Sequence, residues 1–147
     1  MTKYRMIVAG GRNYSNQNIV NYYIDRVKDV CDSRGLNLVI VCGMATGADT
    51  LGRNYAISNG LEVLEFPADW NRYGKSAGYI RNKEMGDVAD SAIVFWDGRS
   101  KGSKLMIDIM HELKKPVVAI SYDGKVLRPR HVYWHYLRQS VPVMEDM

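Results

Sequence analysis

The sequence is poor in the features that mark membrane proteins and metal-binding proteins. None of its apolar runs approaches the roughly 18 residues of a membrane helix, and Met6–Ala9 is too short for a signal peptide. Its two cysteines, Cys31 and Cys42, form no C-x-x-C motif and no cluster with histidine. We therefore expect a cytoplasmic chain with two buried thiols, no metal, no cofactor and no membrane partner.

Two common nucleotide-binding patterns are also missing. The segment Gly10–Tyr14 reads Gly-Gly-Arg-Asn-Tyr and lacks the G-x-G-x-x-G spacing of the dinucleotide fingerprint. No segment has the pattern G-x-x-x-x-G-K-[ST], which holds the phosphates of nucleoside triphosphates. The sequence therefore predicts neither ATP hydrolysis nor a standard dinucleotide-binding loop.

The length and composition predict one domain with a sizeable core. The 147 residues are 46% hydrophobic, and the net charge of +4 arises from acidic and basic residues interspersed along most of the chain. The exception is Lys125–Arg138, a basic and aromatic segment suited to stacking on nucleic-acid bases or to packing against the core or a second subunit. We expect a single domain, 1–147, with a core at about 5–120 and a basic, aromatic extension at 121–147.

Short apolar runs alternate with segments of helical periodicity. The predicted strands are Arg5–Ala9, Leu38–Val41, Leu61–Phe66, Ala92–Trp96 and Pro116–Ile120. The predicted helices are Ser15–Ser33, Asp49–Ser58, Tyr79–Val88 and Lys104–Leu113. This alternation predicts an α/β fold with a mostly parallel sheet, and a turn signal at Tyr122–Lys125 allows one antiparallel edge strand. The segment Ala68–Gly78 is expected to be an irregular functional loop.

Three glycine-rich loops each follow a predicted strand and precede a helix. They are Ala9–Arg12, Cys42–Asp49 and Asp97–Ser103. Glycine lets backbone N–H groups approach a ligand, and the helix N-terminus behind each loop adds unpaired donors and partial positive charge. Because ligands of such sheets lie beyond the carboxyl ends of the strands, the three loops predict one shared phosphate-binding pocket.

Glycines, arginines and one tryptophan are the first candidates for ligand contacts. Six glycines would bring backbone donors to phosphate or ribose, unless they only permit tight turns: Gly10, Gly11, Gly43, Gly47, Gly98 and Gly102. Arg12 and Arg81 are suited to anchor phosphate in a bidentate way, or to form surface ion pairs. Trp70, with Lys75 nearby, offers a face for a purine or packs against the sheet edge or a neighbouring subunit.

Polar side chains of the loops complete the predicted site. Asp49 is suited either to cap its helix or to accept a hydrogen bond from a ribose hydroxyl. Thr46, Ser100 and Ser103 are suited to donate to phosphate or to bond within their own loops. Two further residues belong to the same predicted ligand set, namely Asn82 and Asp97.

Five motifs follow one another along roughly residues 5 to 120. They are Gly-Gly-Arg after the first strand, Cys42–Asp49, Phe66–Trp70, Gly78–Met85 and Trp96–Ser103. Together they resemble the YspA/YpsA-related branch of the SLOG superfamily, which is named after the DNA-processing protein DprA (Smf) and the "lonely guy" LOG enzymes. The resemblance implies a Rossmann-like three-layer sandwich, a small nucleotide-derived ligand and a homo-oligomer.

The same resemblance shows where this chain departs from the enzymes. LOG enzymes cleave nucleoside monophosphates at the N-glycosidic bond with an arginine, matched here by Arg81, and a glutamate, whose position holds Met106. A thioether exchanges no proton and stabilises no oxocarbenium-like charge, so cleavage would need Glu84, Asp97 or Asp108 instead. We therefore expect binding, and sequestration, of an ADP-ribose-type or cyclic-nucleotide signal without turnover. A nucleotide N-glycosidase related to LOG enzymes and DprA-like nucleic-acid binding are the alternatives.

Overall fold

Six strands form a single sheet in the computed structural model, which describes residues 2–127. The strands are β1 (Thr2–Gly10), β2 (Leu36–Gly43), β3 (Glu62–Phe66), β4 (Ser91–Phe95), β5 (Val117–Ile120) and β6 (Val126–Leu127). Their order in the sheet is β3-β2-β1-β4-β5-β6. Strands β1 to β5 pair in parallel, whereas β6 runs antiparallel to β5, which confirms the edge strand.

The strand order reverses at β1. The chain first builds outward through β2 and β3, then crosses over β1 and continues through β4 and β5 on its other side. Where two crossovers leave adjacent strands in opposite directions, the loops at the carboxyl ends separate and leave a crevice. Here that crevice lies beyond the ends of β1 and β4.

Residues 2–127 contain five helices. They are α1 (Gln17–Ser33), α2 (Ala48–Ser58), α3 (Trp70–Tyr73), α4 (Ala77–Val88) and α5 (Lys101–Glu112). Helix α1 begins at Gln17, shortly after the predicted start at Ser15, because the side chain of Asn16 caps it by accepting from the N–H of Ile19 at 3.1 Å. It ends at Ser33, and the turn that follows contains Gly35, whose φ of +68° is the left-handed conformation of a helix C-terminal turn.

The apolar residues of the strands alternate between two cores. Along β1, Tyr4, Met6 and Val8 pack with α1 and α2, whereas Ile7 and Ala9 pack with α4 and α5. Period-two alternation of this kind is what a strand covered on both faces requires. The sheet therefore lies between two helical layers, which confirms the predicted three-layer α/β sandwich. Both cysteines are buried and free, as the sequence predicts.

The segment Ala68–Gly78, predicted to be irregular, is mostly helical, and that prediction is wrong. The side chain of Asp69 accepts from the N–H of Arg72 at 3.1 Å and starts the four-residue helix α3, which a 3₁₀ turn, Gly74–Ser76, joins to α4. The predicted basic and aromatic extension lies outside the described residues from residue 128 onward. Among residues 2–127, no helix combines the length and apolarity needed to cross a bilayer.

Candidate functional site

The loops after β1, β2 and β4 meet at the carboxyl edge of the sheet. The N–H of Gly11 donates to the carbonyl of Phe95 at 3.1 Å and so ties the first loop to the end of β4. The carbonyl of Gly11 accepts from the N–H of Ala48, also at 3.1 Å, and so ties the first loop to the start of α2. These backbone bonds place the three predicted glycine loops around one crevice.

Close packing between these loops depends on glycine at two positions. A Cβ atom on Gly10, whose φ is +153°, would overlap the carbonyl oxygen of Phe95. A Cβ atom on Gly47, whose φ is +75°, would overlap the carbonyl oxygen of Gly11 and the backbone of Arg12. Gly47 therefore serves the contact between loops and lines neither of the cavities described below.

A cavity of about 370 Å³, here the inner chamber, occupies the crevice beyond β1 and β4. Its wall comes from all three loops and from α4 and α5. The lining residues are Ala9, Gly10, Gly11, Arg12, Asn13, Ala45, Asp49, Arg81, Asn82, Met85, Asp97, Ser100, Gly102, Ser103, Met106 and Tyr122. The inner chamber thus brings together ten of the sixteen predicted ligand-binding residues.

The N-terminus of α5 faces the inner chamber with free donors. Ser100 is the N-cap residue but gives the helix no side-chain cap, so the N–H groups of Lys101, Gly102 and Ser103 have no intrahelical partner. The hydroxyl of Ser103 is buried and has no hydrogen-bond partner among residues 2–127. Buried hydroxyls are normally paired, so an unpaired one in a chamber wall indicates a place for a ligand oxygen.

Asp97 shapes the third loop and leaves those donors free. Its Oδ1 accepts from the N–H groups of Arg99 and Ser100 at 2.8 and 2.7 Å. These bonds hold the pKa of the Asp97 carboxyl below its ordinary value, so the group is ionised at neutral pH. Gly98, with a φ of +83° and open space around it, permits this turn. It lines neither the inner chamber nor the second cavity described below.

A buried carboxyl and a guanidinium meet on the α2 side of the inner chamber. A Cβ atom on Gly43 would overlap Nη1 of Arg81 and lie 2.8 Å from Oδ2 of Asp49, so glycine makes room for both groups. Asp49 is 6% exposed, and burial raises the pKa of its carboxyl to about 7. The charge of Arg81 opposes that rise, followed by the backbone amide of Ala45. Asp49 is therefore partly protonated near neutral pH.

This arrangement corrects one prediction for Asp49. The N-cap of α2 is Gly47, and the helix has no side-chain cap, so Asp49 does not cap it. The carboxyl instead lies in the chamber wall within the first turn of the helix, where the helix dipole favours negative charge.

A second cavity of about 420 Å³, here the outer chamber, adjoins the inner one. Its lining residues are Arg12, Met44, Ala45, Thr46, Pro67, Ala68, Trp70 and Arg81. Met44 is 63% exposed and Trp70 is 52% exposed, which is high for large apolar side chains. The hydroxyl of Thr46 donates to the carbonyl of Arg12 at 3.3 Å, so it joins the second loop to the first and does not bond within its own loop.

Several predicted residues lie away from both chambers. Lys75 is exposed on the 3₁₀ turn, and Glu84 is exposed on α4, and neither lines a chamber wall. Asp108 is held by Lys104 at 2.8 Å on the exposed face of α5. Of the three carboxylates proposed to replace the missing glutamate, only Asp97 faces the inner chamber. Among residues 2–127, no group of three or more metal-binding side chains comes together.

Other lining residues were missed by sequence reasoning. The hydroxyl of Tyr122 donates to Oδ1 of Asn13 at 3.1 Å and closes the inner chamber beside Gly11. Met106 is 1% exposed and contributes both to the core and to the chamber wall. The position of Tyr122 just after β5, at the same edge as the glycine loops, was the signal that could have identified it.

Strand order and loop placement define a Rossmann-like α/β protein with its site at the switch point. The model of the YspA, cpYpsA-related SLOG family (YAcAr) matches residues 4–73. The chain is 32% identical over 126 residues to Gene 61 protein of Mycobacterium phage D29, covering 82% of this chain and 96% of that relative. The chain belongs to the SLOG family, in its YspA and cpYpsA-related branch.

A solved structure supports the fold. The X-ray structure of DNA processing protein A (DprA) from Streptococcus pneumoniae superposes with a TM-score of 0.62 at 22% identity. The match covers 95% of this chain and 57% of the DprA chain, so this chain spans little more than half of that protein's length. The shared fold is Rossmann-like, and together the comparisons support nucleotide-related or nucleic-acid binding at the coarse level.

Proposed function

We propose that this protein binds a phosphate-containing, nucleotide-derived ligand in the inner chamber and holds it without turnover. The observation that carries the proposal is the hydroxyl of Ser103, buried in the chamber wall with no partner among residues 2–127. A ligand oxygen there would accept from this hydroxyl and from the N–H groups at the start of α5. The partial positive charge of a helix N-terminus makes phosphate a favoured occupant.

The charges of the chamber support the same ligand class. Arg12 and Arg81 both line the inner chamber, and neither is held by an ion pair of 4.0 Å or less among the described residues. Two guanidinium groups facing one crevice provide paired donors for phosphate oxygens. Asp49 adds an acceptor suited to a ribose hydroxyl. Phosphate and ribose together are the parts common to nucleotides.

Binding without turnover is proposed because of the positions of the carboxylates that could replace the missing glutamate. Met106 occupies the position where LOG enzymes place their glutamate, and its thioether supplies no proton. The Asp97 carboxylate accepts hydrogen bonds from backbone N–H groups of its own loop, while Glu84 and Asp108 lie outside the inner chamber. We therefore favour an ADP-ribose-type or cyclic-nucleotide signal that the protein sequesters, and we expect a homo-oligomer in the cytoplasm.

Calorimetry tests the proposal directly. The wild-type chain would be titrated with AMP, ADP-ribose, cyclic ADP-ribose isomers and cyclic dinucleotides, and at least one should bind at micromolar protein concentration. Ser103→Ala should weaken that binding by about tenfold, equivalent to one hydrogen bond of about 1.4 kcal/mol. Ser33→Ala is the matched control, because its hydroxyl donates to the carbonyl of Val30 on the exposed end of α1. No binding by any probe would overturn the proposal.

The position of Asp49 supports a second candidate function, that of a nucleotide N-glycosidase. Its carboxyl lies in the inner chamber beside Arg81 and carries a proton for part of the time at neutral pH. In this reaction the Asp49 carboxyl would give its proton to the leaving base as the C1′–N bond breaks, and water would add to C1′ and return a proton to the Asp49 carboxylate. Nucleoside monophosphates incubated with the wild type would then release free base, and Asp49→Asn would not. Asp108→Asn, which alters an exposed carboxylate, should retain the activity.

A further inference from the structure

The two chambers are neighbours and share part of their lining. Arg12, Ala45 and Arg81 line both of them, so the inner and outer chambers meet at a pair of guanidinium groups. Volumes of about 370 and about 420 Å³ each fall within the range of about 300 to 1,000 Å³ typical of small-molecule sites. Each chamber is therefore large enough for its own part of a ligand.

The outer chamber differs from the inner one in chemistry. Five of its eight lining residues have apolar side chains and lie in the β2–α2 loop or in the segment after β3, namely Met44, Ala45, Pro67, Ala68 and Trp70. None of the eight is acidic. The inner chamber instead presents hydroxyls, backbone donors and two carboxyl groups. A ligand that fills both chambers needs a polar half and a flat apolar half.

The local fold holds Trp70 in this wall. Asp69 caps the short helix α3 at its first residue, Trp70, and Gly78 near the start of α4 faces the indole. The Cη2 atom of Trp70 lies 3.6 Å from the place where a Cβ atom of Gly78 would be, so ring and backbone pack closely there. About half of the Trp70 side chain nevertheless remains exposed, which leaves ring surface for a partner.

We propose that the ligand is a two-part nucleotide, two nucleoside-like halves joined by a pyrophosphate, with the aromatic ring of one half stacked on Trp70 and Met44. One phosphate of the pyrophosphate lies in the inner chamber at the N-terminus of α5, the other lies between Arg12 and Arg81, and the second nucleoside-like half occupies the rest of the inner chamber. This inference rests on the proposed function and narrows its ligand class. The inference favours an extended dinucleotide over a mononucleotide or a cyclic ligand, because these more compact ligands would leave the outer chamber empty.

The test compares two probes that share a nucleoside and differ in extent. Diadenosine diphosphate and AMP would be titrated into the wild type and into Trp70→Ala, Trp70→Phe and Met44→Ala. Tyr79→Ala is the matched control, because Tyr79 is an aromatic side chain on α4, 49% exposed, that lines neither chamber. Ser103→Ala reports on the inner chamber for both probes.

Diadenosine diphosphate should bind the wild type at least about tenfold more tightly than AMP, since its second base stacks on Trp70. Trp70→Ala should remove that advantage and change the AMP affinity by less than about twofold, while Trp70→Phe restores most of it. Equal affinities for the two probes, or an equal loss for both in Trp70→Ala, would overturn this inference and leave the proposed function standing. Failure of both probes and of all the other nucleotides to bind would overturn the two together.

Discussion

The Nε atom of Arg81 donates a hydrogen bond of 2.9 Å to Oδ1 of Asn82, its neighbour on α4. Asn82 is buried, at 8% exposed, and lines the inner chamber, so it fixes the direction of the guanidinium at the junction of the two chambers. The remaining guanidinium nitrogens are thereby left for an anion. Asn82 acts on the ligand through Arg81 as a positioning residue.

Asn82→Ala should therefore weaken both the fold and nucleotide binding. Loss of a hydrogen bond to a charged group should lower the free energy of unfolding by about 2 kcal/mol, because the buried guanidinium nitrogen loses its partner. The affinity for AMP should fall about tenfold, measured by calorimetry. Lys83→Ala is the control on the same helix, since the exposed pair Lys83–Asp87 contributes little to stability. An unchanged affinity in Asn82→Ala would contradict this positioning role.

Asp49 should make the stability of the protein depend on pH. Its folded-state pKa of about 7 lies above the ordinary value of 3.8, so the folded chain keeps a proton that the unfolded chain has lost between these values. Stability should therefore fall as the pH rises from about 4 to 7 and then level off, by up to about 4 kcal/mol in total.

Urea unfolding at pH 5, 6, 7 and 8 measures this dependence. Asp49→Asn should be flatter across the range and should exceed the wild type most at pH 8, because the amide never carries a charge. Asp108→Asn, an exposed carboxylate paired with Lys104, should follow the wild-type slope. Parallel curves for the wild type and Asp49→Asn would show that Asp49 is not the titrating group.

Two glycines with similar positive φ values should respond differently to alanine. Gly47 and Gly35 have φ values of +75° and +68°, but a Cβ atom meets backbone at Gly47 and nothing within 4 Å at Gly35. Gly35→Ala should cost about 1 kcal/mol for the left-handed conformation alone. Gly47→Ala should cost at least about 2 kcal/mol more, because its Cβ atom would push the loops after β1 and β2 apart. Thermal unfolding of both variants measures the difference, and equal losses would contradict the packing described for Gly47.

Two buried serines should also behave in opposite ways in the absence of ligand. The hydroxyl of Ser91 accepts from the hydroxyl of Tyr4 at 2.6 Å, whereas that of Ser103 has no partner among the described residues. Ser91→Ala should lower the free energy of unfolding by about 2 kcal/mol, since it leaves a buried tyrosine hydroxyl unpaired. Ser103→Ala should be neutral or stabilising, because it removes an unsatisfied polar group. A large loss in Ser103→Ala, measured by urea unfolding, would show that its hydroxyl already has a structural partner.

The sequence predicted most of the fold because its signals were local. Apolar runs and helical periodicity identified the five parallel strands and the four long helices, and the turn signal identified β6. The short helix α3 was missed because four residues give no periodicity. The one local signal, Asp69 placed to accept from the third amide after it, was outweighed by the polar and aromatic composition of the segment.

The candidate site was harder to predict from the sequence, because its geometry depends on contacts between residues that are far apart along the chain. Spacing along the chain does not show that Gly43 leaves room for Asp49 beside Arg81, or that burial then raises the pKa of that carboxyl. Tyr122 likewise reaches the inner chamber from the far side of β4. The glycine loops predict where a ligand lies. Which side chains surround that ligand depends on the order of the strands in the sheet.

The carbonyl of Gly11 accepts hydrogen bonds from the N–H groups of both Tyr14 and Ala48. This shared acceptor limits which residues of the first two loops can be exchanged. A change in either of the first two loops disturbs both, so new specificities there would require paired changes. The third loop is closed on itself by Asp97 and can be redesigned alone. Engineered variants with altered ligand preference should therefore be sought first among residues 99–102, where sequence can change without loosening the rest of the pocket, while Gly98 is kept for its positive φ.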